Sequence, residues 1–340
     1  MSILIIIIGI AVLILMHELG HFLTAKFFKV KVEEFGFGFP PRLLGKKIGE
    51  TLYSLNWLPF GGFVRLLGES SVAPVLEDEK VRSFSHQPIW KRALIIKAGV
   101  VMNFILGWLM ISSLLFFGGA GPVAITAVVP DSPAAAVGLQ AGDLIPGFTS
   151  AEAFIDFVNE NRGQEITLNI KRGGEEMSLT VVPRLQTKEG EGALGVGIAQ
   201  AGFPKLGFWD SIGEGFMMSI RIILAIAIAL VNLVVGVFTG GVVFESFVGP
   251  VGLFQIVSQT GQLGVAYLLQ LISLISLNLA VLNIFPFPAL DGGRLLFLAI
   301  EKIKGSPISP KREALVNAAG FIFLLLLMVA ITVKDIVYLF

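Results

Sequence analysis

Residues 1–25, MSILIIIIGIAVLILMHELGHFLTA, decide the fold class of this chain. No side chain among them is ionisable except those of His17, Glu18 and His21. Because about 20 apolar residues are enough to cross a bilayer as a helix, the stretch predicts a membrane-spanning helix over residues 3–25. It has neither a basic amino-terminal region nor a small-residue cleavage site, so it lacks the pattern of a signal peptide.

The rest of the chain repeats this apolar character. Of its 340 residues, 54% are hydrophobic and 15% are charged, against about 25% charged in soluble proteins. Stretches without a charged side chain cover residues 98–121, 222–244, 246–290 and 314–333. These features predict a polytopic α-helical membrane protein with about four transmembrane helices in the lipid bilayer. The net charge is zero and there are no cysteines, so neither nucleic-acid binding nor a thiolate metal site is indicated.

The three ionisable residues of the first stretch form the pattern HExxH. Positions i and i+4 share one face of a helix, so the imidazoles of His17 and His21 can bind one Zn²⁺ ion. Glu18 lies beside that face, where it could take a proton from water without being a ligand. Ionisable side chains are costly inside a membrane. We therefore favour a catalytic zinc site over a polar cluster that only fastens helices together.

A catalytic zinc ion usually has three protein ligands, which leaves one to be found. Asp291 is the only acidic residue between Ser246 and Ile300 and is the candidate. Pro286 and Pro288 should break the helix before it, which would turn the carboxylate inward and admit water. Asn283 could hydrogen-bond the backbone of a substrate, although an amide that packs between helices is equally consistent with the pattern.

The charges of the connecting segments predict the orientation. Residues 26–97 contain 12 Lys and Arg against 7 Asp and Glu, residues 118–266 contain 7 against 13, and residues 301–313 are basic. Basic loops stay in the cytoplasm. We therefore expect a multi-pass protein of the cell (inner) membrane, with residues 26–97 and 301–313 inside and residues 118–266 on the extracytoplasmic side.

Two segments differ from the apolar stretches. In residues 29–66, strand formers alternate with Gly and Pro, which predicts short strands and turns against the membrane. These residues belong to a first catalytic membrane part, residues 1–121.

Residues 122–200 predict a small α/β domain. Within it, Ser132–Ile145 resembles the corresponding phrase of PDZ domains, which bind extended peptides at a sheet edge. A domain that only packs on the membrane part is the alternative.

The remaining chain predicts a connector, residues 201–265, and a second catalytic membrane part with two spans, residues 266–340. Residues 222–244 are apolar enough to span, yet a crossing there would put Asp291 near the opposite membrane face from the two histidines. We therefore predict that they lie in the outer interface or dip partly into the membrane, with glycines at 240–241 and Gly249-Pro250 allowing the turn back. A true crossing paired with a second one in residues 246–265 is the alternative.

The pairing of HExxH with a late NxxPxPxLDGG, residues 283–293, resembles the site-2 protease family of intramembrane zinc metalloproteases, especially its bacterial regulator-of-sigma-E type. Matching phrases cover nearly the whole chain, at residues 34–39, 59–64, 98–104 and 249–252. Well-studied members carry two tandem PDZ domains, whereas this chain has room for one.

The resemblance implies roles for particular residues. It implies that His17, His21 and Asp291 bind zinc and that Glu18 is the catalytic base. It also implies that the Phe60–Leu66 region presents an edge strand to the substrate, through Gly61, Gly62, Phe63 and Val64. The implied substrates are membrane proteins with a single transmembrane helix, such as anti-sigma factors or remnant signal peptides, cut in regulated intramembrane proteolysis.

Two other functions compete with this interpretation. Another class of membrane zinc peptidase would use a downstream Glu as the third ligand, but no Glu follows in the apolar stretches. A non-catalytic, membrane-bound PDZ adaptor would not need the intact set of His17, Glu18, His21 and Asp291. Metal analysis of the purified protein separates the enzyme from the adaptor.

Overall fold

The computed structural model describes residues 2–69, 75–148, 150–187, 192–239, 249, 251–253, 256–257 and 265–337. They divide into two compact units, one formed by Met1–Ile111 and Glu214–Phe340, the other by Ser112–Gly213. The elements follow one another along the chain as α1 (Ser2–Phe27), β1 (Val32–Ile48), β2 (Thr51–Leu66), α2 (Ile89–Phe117), β3 (Gly119–Val128), α3 (Pro133–Ala136), β4 (Leu144–Ile145), α4 (Ala151–Glu160), β5 (Ile166–Arg172), β6 (Glu175–Val181), β7 (Val196–Phe203), α5 (Phe208–Thr239), α6 (Val265–Ile284), α7 (Asp291–Lys304) and α8 (Pro310–Val337).

Five helices among the described residues are long and apolar enough to cross a membrane: α1, α2, α5, α6 and α8. The fold class predicted from the sequence is therefore confirmed, with one candidate span more than the expected four. The additional helix is α5, which contains the start of the apolar stretch 222–244 but begins at Phe208. Length and composition do not decide whether it crosses, so its interfacial position stays a prediction. The glycines at 240–241, and Pro250, lie outside the described residues.

Close contacts set the directions of the central helices. Gly9 of α1 lies against Ile272 of α6, where a Cβ atom would come within 2.5 Å of the isoleucine side chain. His17 lies farther along α1, and Asp291 follows the end of α6. Because the side chains of these two residues meet, α1 and α6 run in the same direction. Gly20 of α1 touches the backbone of Ala98. Since His17 contacts Asn103, farther along α2, that helix runs the opposite way.

The predicted short strands between α1 and α2 are in fact two long bent ones. Phe35 of β1 pairs with both Val64 and Tyr53, so the first half of β1 lies between the two halves of β2. Gly38 and Gly61 have φ angles of +79° and +92° at the bends, in a region that residues with a Cβ rarely adopt. As a result, the last part of β2 has a strand partner on one side only among the described residues.

The second unit contains an antiparallel sheet in the order β6-β5-β4-β3-β7. Its core is formed by apolar side chains of the sheet and of α4, among them Ile125, Phe154 and Leu168. Residues 122–200, for which the sequence predicts a small α/β domain, fall within this unit, which also contains the short helix α3 and the amphipathic helix α4. Strand β7 was not predicted. The likeness to a PDZ domain stays a prediction.

Candidate metal centre

The fold brings together the three side chains predicted to hold a metal ion. Nε2 of His17 and Nε2 of His21 lie 3.2 and 3.3 Å from Oδ2 of Asp291, and the two imidazole nitrogens are 3.2 Å apart. Within the described parts of the chain, this is the only group of three His, Cys, Asp or Glu side chains arranged so that they could share an ion.

The spacing of these atoms fits a tetrahedral zinc ion. Zinc binds nitrogen and oxygen at about 2.0–2.2 Å, which puts two tetrahedral ligand atoms roughly 3.3–3.5 Å apart. The buried Oδ2 of Asp291 accepts no hydrogen bond in the described structure despite its two close imidazole neighbours. Two imidazole nitrogens and a carboxylate oxygen that converge in this way are arranged to share a cation, so the residues fit the zinc that the motif implies.

The backbone of α2 orients His21. Its Nδ1 donates a hydrogen bond of 2.8 Å to the carbonyl of Ile95, which leaves Nε2 as the atom that can bind a metal. Gly99 makes room for both rings, because a Cβ there would lie 2.4 Å from Nε2 of His21 and 2.7 Å from Cε1 of His17. Only glycine permits α2 to approach the pair this closely.

Asn103 holds His17 in the same way. Its side-chain amide lies 3.3 Å from Nδ1 of His17, while its own Oδ1 is buried without a partner. The two ends of an amide have nearly the same shape. With the oxygen turned toward His17, Nδ1 donates to it and Nε2 is left to bind the metal. Ser276 of α6 fixes this part of α2 by donating a 2.7 Å hydrogen bond to the Asn103 carbonyl.

The break after α6 delivers Asp291, as the two prolines predicted. Helix α6 ends at Ile284, and Asp291 is the first residue of α7. The two glycines that follow let the chain fold tightly on itself: a Cβ at Gly292 would lie 2.1 Å from the carbonyl oxygen of Phe285, and one at Gly293 2.3 Å from that of Phe287. The LDGG phrase thus places the carboxylate opposite the histidines.

His17, His21 and Asp291 line a cavity of about 370 Å³. Every other residue that the sequence singled out lines this cavity as well, namely Glu18, Asn283, Gly61, Gly62, Phe63 and Val64. Strand β2 passes close to Glu18, since a Cβ at Gly62 would lie 3.0 Å from Cγ of that residue. The structure therefore places a potential base, an amide and a strand edge around one space. Their roles stay predictions.

Sequence reasoning missed several residues of this site. The sequence analysis included Asn103 only as part of residues 98–104, which match the site-2 protease family. The feature that could have identified it is a polar amide within an apolar predicted helix. Glu69 and Arg294 also line the cavity and form an ion pair. In the sequence, Glu69 is an acid just after the predicted strand region, and Arg294 is a charged residue three positions after Asp291. His86, the third histidine of the sequence, is exposed.

An HExxH helix and an LDGG loop that meet within apolar helices define an intramembrane metalloprotease. The sequence matches peptidase family M50 over residues 5–327, and the chain belongs to that family. It is 37% identical over 332 residues to a candidate zinc metalloprotease of Clostridium perfringens, covering 96% of both chains. It is 28% identical over 411 residues to the regulator of sigma-W protease RasP of Bacillus subtilis, again covering 96% of each. The zinc metalloprotease RasP of Shouchella clausii is 29% identical over 417 residues, with 97% of each covered.

These findings confirm the predicted class of enzyme. The protein is an integral membrane zinc metalloendopeptidase of the site-2 protease type, and Zn²⁺ is its cofactor.

Proposed function

We propose that this protein cuts the transmembrane segments of single-span proteins in the cell (inner) membrane, with zinc held by His17, His21 and Asp291. One observation carries the proposal. The converging ligand atoms, the Glu18 carboxylate and the one-sided end of β2 all border the same cavity inside a bundle of apolar helices. A substrate that reaches this cavity comes from the membrane.

The residues around the cavity divide the chemical work. Bound zinc supplies a Lewis acid that polarises the scissile carbonyl and makes water nucleophilic at neutral pH. Glu18 accepts the proton of the attacking water and passes it to the leaving amine nitrogen. Asn283 hydrogen-bonds the substrate backbone.

The substrate must be unwound before it can be cut, because the hydrogen bonds of a helix shield its peptide bonds. The end of β2 can hold the opened segment by strand addition, through Gly62, Val64 and the residues beside them. The PDZ-like domain, on the extracytoplasmic side, selects substrates whose outer part is small enough or already trimmed. The Bacillus subtilis relative is a regulator of sigma-W protease, which supports anti-sigma factors as one substrate class, and remnant signal peptides are the other.

The test uses purified full-length protein in liposomes and two variants. The probes are tagged single-span reporters that carry transmembrane segments from signal peptides and from anti-sigma factors. Glu18→Gln should bind about one zinc per chain and lose proteolysis, whereas Asp291→Ala should lose both proteolysis and most of its zinc affinity. Asp78→Ala, an exposed acid outside the cavity, is the control and should cut normally.

Near-normal turnover by Glu18→Gln would show that Glu18 is not the base. Full zinc occupancy in an inactive Asp291→Ala variant would move Asp291 from the metal to the substrate.

A further inference from the structure

Glu69 lies where the one-sided part of β2 ends. The turn Leu66–Glu69 closes through a 3.2 Å hydrogen bond from the Glu69 N–H to the Leu66 carbonyl. Gly68 supplies the positive φ, +71°, that a type II turn needs at its third position. The turn carries the Glu69 side chain back over the strand, where its Oε2 accepts a 3.2 Å hydrogen bond from the Leu66 N–H.

That N–H belongs to the edge of β2 that faces away from β1. The next amide, of Leu67, donates to the carbonyl of Lys31 on the β1 side. Successive N–H groups of a strand point to opposite edges, so the amides of Leu66, Val64 and Gly62 share the open edge. Glu69 therefore occupies the amide at one end of the row that an added strand would use.

Arg294 holds the Glu69 carboxylate in this position. Its guanidinium donates to Oε1 of Glu69, and it lies three residues after Asp291 on α7. The ring of Phe84, which is buried, lies 5.8 Å from the Arg294 guanidinium carbon and 5.5 Å from that of Arg92. One carboxylate thus joins the end of the strand edge to the helix that carries Asp291, and this fixes the distance between them.

We propose that Glu69, held by Arg294, sets the register in which a substrate strand pairs with β2, and thereby selects the peptide bond that is cut. The inference rests on the proposed function, in which that edge binds an extended substrate segment. With the Leu66 amide occupied, an added strand can pair only as far as Val64. A slip of one residue would turn every substrate side chain to the other face, so the smallest tolerated change of register is two residues.

The first test maps the cut in the reporters described above, by mass spectrometry of the products. Glu69→Ala frees the Leu66 amide and should move the cut by two residues. Glu69→Gln keeps a side-chain oxygen for that amide and should cut at the wild-type bond. Glu77→Ala is the matched control and should also leave the cut unchanged, because Glu77 is an exposed acid that pairs with Lys80.

The second test needs no turnover. The chain has no cysteines, so Val64→Cys in a Glu18→Gln background can form a disulfide with single cysteines placed along the reporter. Adding Glu69→Ala should shift the cross-linked reporter position by two residues. Because the cross-link requires neither catalysis nor zinc, it decides the question even if a variant loses its metal.

An unchanged cross-linked position in the Glu69→Ala variant, together with an unchanged cut wherever that variant cleaves, would overturn the register role. Failure of the wild-type protein to cut any reporter would instead count against the proposed function.

Discussion

Each of the two histidines proposed as metal ligands has a neighbour that fixes which ring nitrogen points toward the Asp291 carboxylate. For His21 the neighbour is the Ile95 carbonyl, which no mutation of a side chain removes. For His17 it is the amide of Asn103, a residue that is 1% exposed. Outer partners of this kind are worth roughly 10- to 100-fold in metal affinity.

Asn103→Ala should therefore lower zinc affinity by about 10- to 100-fold without unfolding the protein, because the His17 ring loses its fixed orientation. Metal titration in detergent, read against chelators of known strength, measures the change. Asn161→Ala, which removes an amide from the other unit, is the control. Wild-type affinity in Asn103→Ala would mean that Asn103 only packs α2 against its neighbours.

In the second unit, the buried carboxylate of Asp143 forms an ion pair with Arg172. Burial alone would raise the pKa of this carboxyl, but two short hydrogen bonds from Arg172 and one from the Gln140 N–H lower the pKa below its usual value. A lowered pKa in the folded state contributes stability above the pKa of the unfolded chain. That stability is lost as the pH falls through the folded-state pKa.

Hydrogen exchange across β4 and β5, corrected for intrinsic exchange rates, should therefore stay slow as the pH falls toward about 4. Below that pH it should become faster. Arg172→Ala should remove roughly 1.5–3 kcal/mol from the stability of this unit at neutral pH. Arg162→Ala, whose guanidinium is exposed and bonds Asn159, serves as the control. The same pH profile of hydrogen exchange in wild type and Arg172→Ala would show that the Asp143–Arg172 pair does not cause the loss of stability at low pH.

The three side chains proposed as metal ligands were predictable from sequence because each lies in a local pattern. The HExxH spacing fixes the two histidines on one helix face, and the prolines before Asp291 mark the only break that could deliver a carboxylate. The Ile95 carbonyl carries no sequence signature, since every residue has one. Glu69 and Arg294 are 225 positions apart, and only the folded chain shows that they meet.

Among the elements, β2 departs most from its sequence prediction. Alternation with Gly and Pro predicted short strands, but the chain forms two strands of 17 and 16 residues that bend at glycines and pair with each other twice. Local pattern identifies strand formers, whereas the second pairing depends on residues that meet only after the bends. This second pairing leaves the end of β2 with one free edge beside the cavity.

Val64→Pro tests that edge. Its amide should face away from β1, so proline should leave the pairing with β1 in place. It should abolish cleavage of the reporters, because the added strand loses a hydrogen bond and meets the proline ring. Val64→Ala keeps the amide and is the matched control, expected to retain most activity. Zinc content should be unchanged in both, and full cleavage by Val64→Pro would exclude strand addition at this position.

At the scale of the whole molecule, the helix directions limit what α5 can do. Helices α1 and α6 run one way and α2 runs the other. The chain must therefore cross the membrane an even number of times, or not at all, between the end of α2 and the start of α6. Helix α5 enters beside α2, since Phe216 packs edge-on against Phe104 and Trp108. If α5 crosses completely, a second crossing must follow it.

The position of Gly249 leaves little room for that return. The backbone amides of Gly249 and Gly252 bond Asp335, in the last turn of α8, at 2.9 and 2.8 Å. Leu253 packs against a cluster of buried side chains that includes Ile6, near the start of α1, and Leu268, near the start of α6. Residue 249 is thus already at the end of the bundle where α1 begins, opposite the basic segment 26–97.

Only residues 240–248 separate α5 from Gly249. Nine residues advance about 14 Å as a helix, against a hydrocarbon core about 30 Å thick. An extended chain could just span it but would leave its backbone groups without partners. We therefore predict that α5 does not cross the membrane but lies in its extracytoplasmic interface or dips partly into it, so that Thr239 stays on that side.

Cysteine accessibility in intact cells tests this topology without background, because the chain has no cysteines. Thr239→Cys, at an exposed position, should react only with a reagent applied from outside. Lys205→Cys and Ser306→Cys are the matched controls, expected outside and inside respectively. Labelling of Thr239→Cys from the cytoplasm alone would mean that α5 crosses. Residues 240–248 would then have to bring the chain back across the bilayer within nine positions.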